Sequence, residues 1–144
     1  MFRELGLEEK LLKGVDALGY TEPTPIQKQA IPEALAGRDI VGCAQTGTGK
    51  TAAFILPLLQ RLSDQKGVKA LIVTPTRELA VQIEEVARDC ARFTNRQVTA
   101  VYGGVGYQPQ ADRLKRGVDL LVATPGRLLD IQGRGDVRLD RVEA

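Results

Sequence analysis

The segment Ala44-Gln45-Thr46-Gly47-Thr48-Gly49-Lys50-Thr51 carries the most specific chemistry in the chain. Two glycines one residue apart let a backbone turn tightly enough for its N–H groups to converge on an anion. A helix that starts at Lys50 would add unpaired N–H groups and the positive end of its dipole. Lys50 then supplies a full charge to the outer phosphates of a nucleoside triphosphate, and the Thr51 hydroxyl a ligand for Mg²⁺. Gln45, Thr46, Gly47, Thr48 and Gly49 would form the cradle itself. The common phosphate-loop pattern begins with Gly, and here that position is Ala44. A strand–turn–helix that binds nothing could use the same two glycines, but it has no need of Lys50-Thr51.

Upstream, Gly19 to Gln27 reads Gly-Tyr-Thr-Glu-Pro-Thr-Pro-Ile-Gln. Thr24 and Pro25 suit an N-cap and a first helical residue. Gln27 has both a donor and an acceptor, enough to pair with an adenine edge. Tyr20 and the isolated Phe2 could cover the base. A simple helix start fits the same residues. Two further segments join apolar runs to helix-like patterns, Pro75-Thr76-Arg77-Glu78-Leu79-Ala80 and Thr124-Pro125-Gly126-Arg127, while Gly103-Gly104 follows a third run. Each can be a capped turn. Together they place phosphate-compatible groups after three strands.

The elements that must hold these groups alternate. The runs Ile40-Val41, Ala70-Leu71-Ile72-Val73, Val98-Thr99-Ala100-Val101 and Leu120-Leu121-Val122-Ala123 read as strands. Between and around them, helical patterns cover Glu8 to Leu18, Pro25 to Leu35, Lys50 to Leu62, Arg77 to Phe93 and Gln108 to Leu114. Apolar strands separated by helices predict an α/β fold, a mainly parallel sheet with helices on both faces and the candidate residues at the strand C-termini. Pro57 falls inside a helical pattern and cannot donate to the carbonyl of Ala53.

The motifs in this order resemble those of the DEAD-box ATP-dependent RNA helicases. Gly19–Gln27, with Phe2 upstream, is similar to the family's Q motif. Ala44–Thr51 is similar to motif I, where Ala is an accepted first residue. Pro75–Ala80, Gly103-Gly104 and Thr124–Arg127 resemble motif Ia, the Gly-Gly element and the Thr-Pro-Gly-Arg motif. The resemblance covers nearly the whole chain. It implies a partial RecA-like domain that binds ATP and Mg²⁺ and grips one RNA strand through its sugar–phosphate backbone. The RNA contacts would fall on Pro75, Thr76, Arg77, Gly103, Gly104, Thr124, Gly126 and Arg127. It also implies an Asp-Glu-Ala-Asp motif, a Ser-Ala-Thr motif and a second RecA-like domain with arginine fingers, none of which is in these 144 residues. The chain is therefore expected to be the front of a longer helicase, with Val142-Glu143-Ala144 starting the next strand. A stand-alone nucleotide- or RNA-binding module, or another P-loop NTPase, is the alternative.

Bulk properties bound the rest. There are 144 residues with a net charge of +2, which argues neither for nor against a polyanionic partner. Histidine is absent, removing the commonest general base and metal ligand. Cys43 and Cys90 have no metal-ligand spacing and read as buried thiols of a reducing, cytoplasmic compartment. No apolar run is long enough to span a bilayer, and Met1 opens no signal-peptide pattern.

Overall fold

The computed structural model describes residues 1–45 and 49–144. Thr46, Gly47 and Thr48, expected in the phosphate cradle, lie outside the described residues. The chain divides into two compact units, one of residues 1–61 and 86–95, the other of residues 62–85 and 96–144.

The first unit is helical among its described residues. A short 3-10 turn, Phe2–Leu5, precedes α1 (Glu9–Ala17), α2 (Pro25–Leu35) and α3 (Lys50–Arg61), and the C-terminal part of α4 (Arg77–Ala91) completes it. Helices α2 and α3 pack on each other. Ile31, Ile55 and Leu56 are fully buried. Gln60 on α3 secures the start of α1: its amide nitrogen donates to Gly6 O at 2.9 Å and its oxygen accepts from Glu8 N–H at 2.8 Å. Gly14 permits the close approach of α1 to the end of α4, because a Cβ there would stand 2.6 Å from the Cys90 carbonyl oxygen. Pro57 is buried within α3, which continues past it to Arg61.

The expected strand at Ile40-Val41 is not formed. Those residues carry no regular structure, and Val41 is 97% exposed. β-branched residues favour a pleated surface only where neighbouring strands supply hydrogen bonds and packing, and no strand pairs with this run among the described residues. Cys43, on the same segment, is correspondingly exposed rather than buried.

The second unit holds the sheet. Strands β1 (Ala70–Val73), β2 (Val98–Val101) and β3 (Leu120–Ala123) are parallel in the order β1-β3-β2, with Ala70 and Val98 both level with Leu120. Parallel neighbours require crossovers, supplied by α4 and by α5 (Tyr107–Arg116); α6 (Pro125–Gly133) follows β3. Strand β3 is buried along its length, as a central strand should be. Val68, Val101, Leu121, Ala123, Leu128 and Ile131 lie in the core around it. Lys69 is 2% exposed and is held by the Asp119 carboxylate and the Gln65 carbonyl. On the outer edge of β1, Leu71 N–H donates to Ala144 O at 2.9 Å and Ala144 N–H to Lys69 O at 3.2 Å, so residues 143–144 begin to pair as the sequence suggests. On the edge of β2, the Glu84 carboxylate accepts from Ala100 N–H at 2.7 Å. A charged side chain there blunts an otherwise open ladder.

The two thiols should react very differently. Cys90 is fully buried and burial pushes its pKa up to about 12, leaving a thiolate fraction of roughly 10⁻⁴ at pH 8. Titration with a chromogenic disulfide at pH 8 should count one fast thiol, Cys43, and a second only in denaturant. Two fast thiols would show that the α1–α4 contact opens readily.

Candidate nucleotide and nucleic-acid sites

The first site lies within the first unit. Helix α2 begins where Thr24 and Pro25 predict, with Thr24 extended (φ −72°, ψ 164°) and Pro25 as its first residue. Gln27 is 1% exposed. Its Oε1 accepts from Thr24 N–H at 3.0 Å, which satisfies an orphan donor at the helix start. Its Nε2 donates to Gly49 O at 3.1 Å. One side chain thus joins the start of α2 to Gly49, the residue of the phosphate-loop segment just before Lys50. Gly49 has φ +79°, and a Cβ there would lie 2.2 Å from Gln27 Nε2. The residue must be glycine on two independent grounds, backbone conformation and space.

Helix α3 starts at Lys50, so Lys50 and Thr51 occupy a helix N-terminus, with Lys50 exposed and Thr51 half-buried. Free N–H groups, a cation and a hydroxyl at this end fit a nucleotide's phosphates and the Mg²⁺ they carry. Gln45 is exposed. Phe2 and Tyr20 do come together, with ring centroids 6.4 Å apart and planes 18° from parallel, but Phe2 is only 5% exposed. Much of the Phe2 ring is therefore occupied by packing, and Tyr20 is the more accessible of the two.

The second site lies within the second unit. In-register parallel strands bring their C-termini to one edge, where Thr74 N–H donates to Ala123 O at 3.0 Å and Thr124 N–H to Val101 O at 3.1 Å. The three expected segments therefore meet. Thr76 Oγ1 accepts from Leu79 N–H at 3.2 Å and caps α4. Pro75, Arg77, Gly103, Gly104, Pro125 and Gly126 are all exposed. The Arg77 guanidinium lies 5.4 Å from the centroid of the Tyr102 ring, and its Nη1 would be 3.7 Å from a Cβ at Gly104. Gly104 adopts φ +82°.

Arg127 behaves differently from Arg77. Its side chain is only 12% exposed. Nη1 donates to Gln110 Oε1 and Nη2 to Val105 O, both at 2.9 Å. Gln110 is a residue that sequence reasoning did not single out. The signal was present: Tyr107, Gln110, Ala111 and Leu114 share one helical stripe, and a polar residue there must find partners. Tyr107 was also unmarked. Its hydroxyl bonds the Asp136 carboxylate, Arg134 stands 4.1 Å from its ring centroid, and burial with the Asp136 contact raises its pKa to about 12.

The sequence and fold of the chain, taken as a whole, resemble those of known proteins. The sequence pattern of the DEAD/DEAH box helicases matches residues 24–144, a span that takes in Gln27 and every segment after it but leaves out Phe2 and Tyr20. The chain is 47% identical over 129 residues to the DEAD-box ATP-dependent RNA helicase RhpA of Helicobacter pylori (strain B128), covering 90% of this chain and 26% of that protein. The crystal structure of the RNA helicase Prp28 from Chaetomium thermophilum, bound to ADP, superposes with a TM-score of 0.88 at 47% identity, covering 96% of this chain and 35% of that one. The chain thus spans about a quarter to a third of the length of these relatives. With most of the sequence matched by the family pattern and almost all of the fold matched by a helicase, the chain belongs to the DEAD/DEAH box helicase family.

Proposed function

We propose that this chain is the nucleotide-binding front of an ATP-dependent RNA helicase. In this reading the first unit binds ATP with Mg²⁺, and the second holds one RNA strand by its backbone. A second RecA-like domain completes the helicase. RNA-stimulated hydrolysis and local duplex separation belong to that larger protein.

The observation that carries the ATP reading is the Gln27 amide, bonded to Thr24 at the head of α2 and to Gly49 in the phosphate-loop segment. Lys50 would hold the outer phosphates, Thr51 the metal, and Gln45 through Gly49 the cradle. Bound Mg²⁺ would neutralise developing charge on the phosphates. Each end of the Gln27 amide retains hydrogen-bonding capacity, an N–H and a lone pair, which is what an adenine edge needs. Tyr20, backed by Phe2, would take the base face.

For RNA, support comes from the shared edge, where Pro75, Thr76, Arg77, Gly103, Gly104, Thr124, Gly126 and Arg127 gather. Backbone N–H groups, hydroxyls and guanidinium groups hold phosphates without reading sequence.

The test is competition binding of ATP and GTP to Gln27→Ala. Both nucleotides should weaken, since the Gly49 bond is lost in either case. ATP should lose about tenfold more, corresponding to roughly 1–3 kcal/mol for a base-edge pair. Equal losses would restrict Gln27 to joining α2 to the phosphate loop.

A further inference from the structure

We propose that Gln110 is a positioning residue for RNA binding: its buried amide fixes the loop around Gly103-Gly104 and the Arg127 guanidinium as one clasp. The inference rests on the RNA reading above. Gln110 is 6% exposed. Its Nε2 donates to Tyr102 O at 3.1 Å, and its Oε1 accepts from Arg127 Nη1 at 2.9 Å. Arg127 Nη2 in turn donates to Val105 O at 2.9 Å. The two carbonyls so gripped flank Gly103 and Gly104. A loop with two exposed glycines has large conformational freedom to lose, and the clasp removes much of it before any ligand arrives.

The clasp also ties together segments remote in sequence. Tyr102 leaves β2, Gln110 belongs to α5, and Arg127 belongs to α6. Arg77 lies against Tyr102 and beside Gly104, so the anchored loop sets where the Arg77 charge and the loop N–H groups stand relative to each other. Fixed donors bind a sugar–phosphate backbone better than mobile ones, because ordering is not charged to binding. Gln110 itself contacts no RNA. A buried carboxamide that bonds on both ends is also costly to remove singly, because each partner loses its bond.

The experiment measures binding of a fluorescein-labelled oligouridylate to the 144-residue chain by anisotropy across a salt series, alongside amide hydrogen exchange and ATP affinity. Gln110→Ala should speed exchange at residues 103–106 at least tenfold and weaken RNA five- to tenfold. The slope of log K against log salt should become shallower by about 0.7, one phosphate contact on a single strand, with ATP affinity unchanged. Gln110→Glu keeps the acceptor for Arg127 and loses the donor to Tyr102, so part of the affinity should return. Arg77→Ala is the control for the RNA reading. If Arg77→Ala weakens RNA and Gln110→Ala does not, or if loop exchange is unaltered by Gln110→Ala, the positioning role is overturned while the RNA reading stands. If neither variant alters RNA binding, the RNA reading falls and the role of Gln110 with it.

Discussion

In a phosphate-release assay the 144-residue chain should turn over ATP no faster than its Lys50→Ala variant, with or without RNA. Lys50 and Thr51 stand at the start of α3, where they can hold phosphates and metal. Holding is only part of phosphoryl transfer: a group must also orient the attacking water, and charge must be neutralised as it moves. Strand β1 runs into Thr74 and β3 into Thr124, so neither strand ends in a carboxylate suited to that task. Asp130 is engaged by Arg134 at 3.0 Å, with Arg127 at 4.0 Å. In the larger helicase proposed above, a general base worth ~10²–10⁴ in rate and arginine fingers worth a further ~10³–10⁵ would lie outside these 144 residues. The two losses are not strictly additive, but either one suppresses turnover. Nucleotide binding is a more local property and should survive. RNA-stimulated turnover that disappears in Lys50→Ala would overturn this expectation and show that an acid of this chain, Glu78 for instance, serves the reaction.

What the sequence disclosed, and what it withheld, divides along local and non-local lines. Helix α2 runs over the predicted Pro25–Leu35 because Thr24 and Pro25 fix its start locally. The three strands of the sheet match their apolar runs residue for residue; burial along the whole of β2 and β3 leaves a continuous signal, while β1 keeps its apolar run although it grades from buried Ala70 to exposed Val73. Ile40-Val41 carries the same signature, but a strand exists only by pairing, and pairing is not written in the strand itself. Helix α6 is legible only at its start, Thr124-Pro125, and not in its extent, because its apolar face shows as little more than Leu128 and Ile131. At the sites, residue types were legible and contacts were not. Gln27 and Gly49 are both recognisable in the sequence, yet their bond spans 22 residues. The Gln110–Arg127 bond spans 17 and joins two different helices. It changes how Arg127 is to be understood: its guanidinium is largely spent on holding protein, whereas that of Arg77 is exposed on the same edge.

Gly49→Ala should damage both stability and nucleotide binding, and the cause can be separated into two parts. An L-residue at φ +79° is strained, which costs about 1–2 kcal/mol. Independently, the new Cβ would meet Gln27 Nε2 at 2.2 Å and Cδ at 3.2 Å. Gln27 is 1% exposed and bonded at both ends, so it cannot move aside without breaking those bonds; such overpacking costs roughly 1–3 kcal/mol more. Thermal melts followed by circular dichroism should show a drop of roughly 5–15 °C. ATP affinity should fall about tenfold or more, since the backbone that leads into Lys50 is displaced. Combining the substitution with Gln27→Ala removes the clash but not the φ strain. The double variant should therefore lose less than the sum of the two single losses, by ~1–2 kcal/mol. Strict additivity would mean that Gln27 and Gly49 are not in contact in solution, and that the amide does not bridge the head of α2 to the phosphate loop.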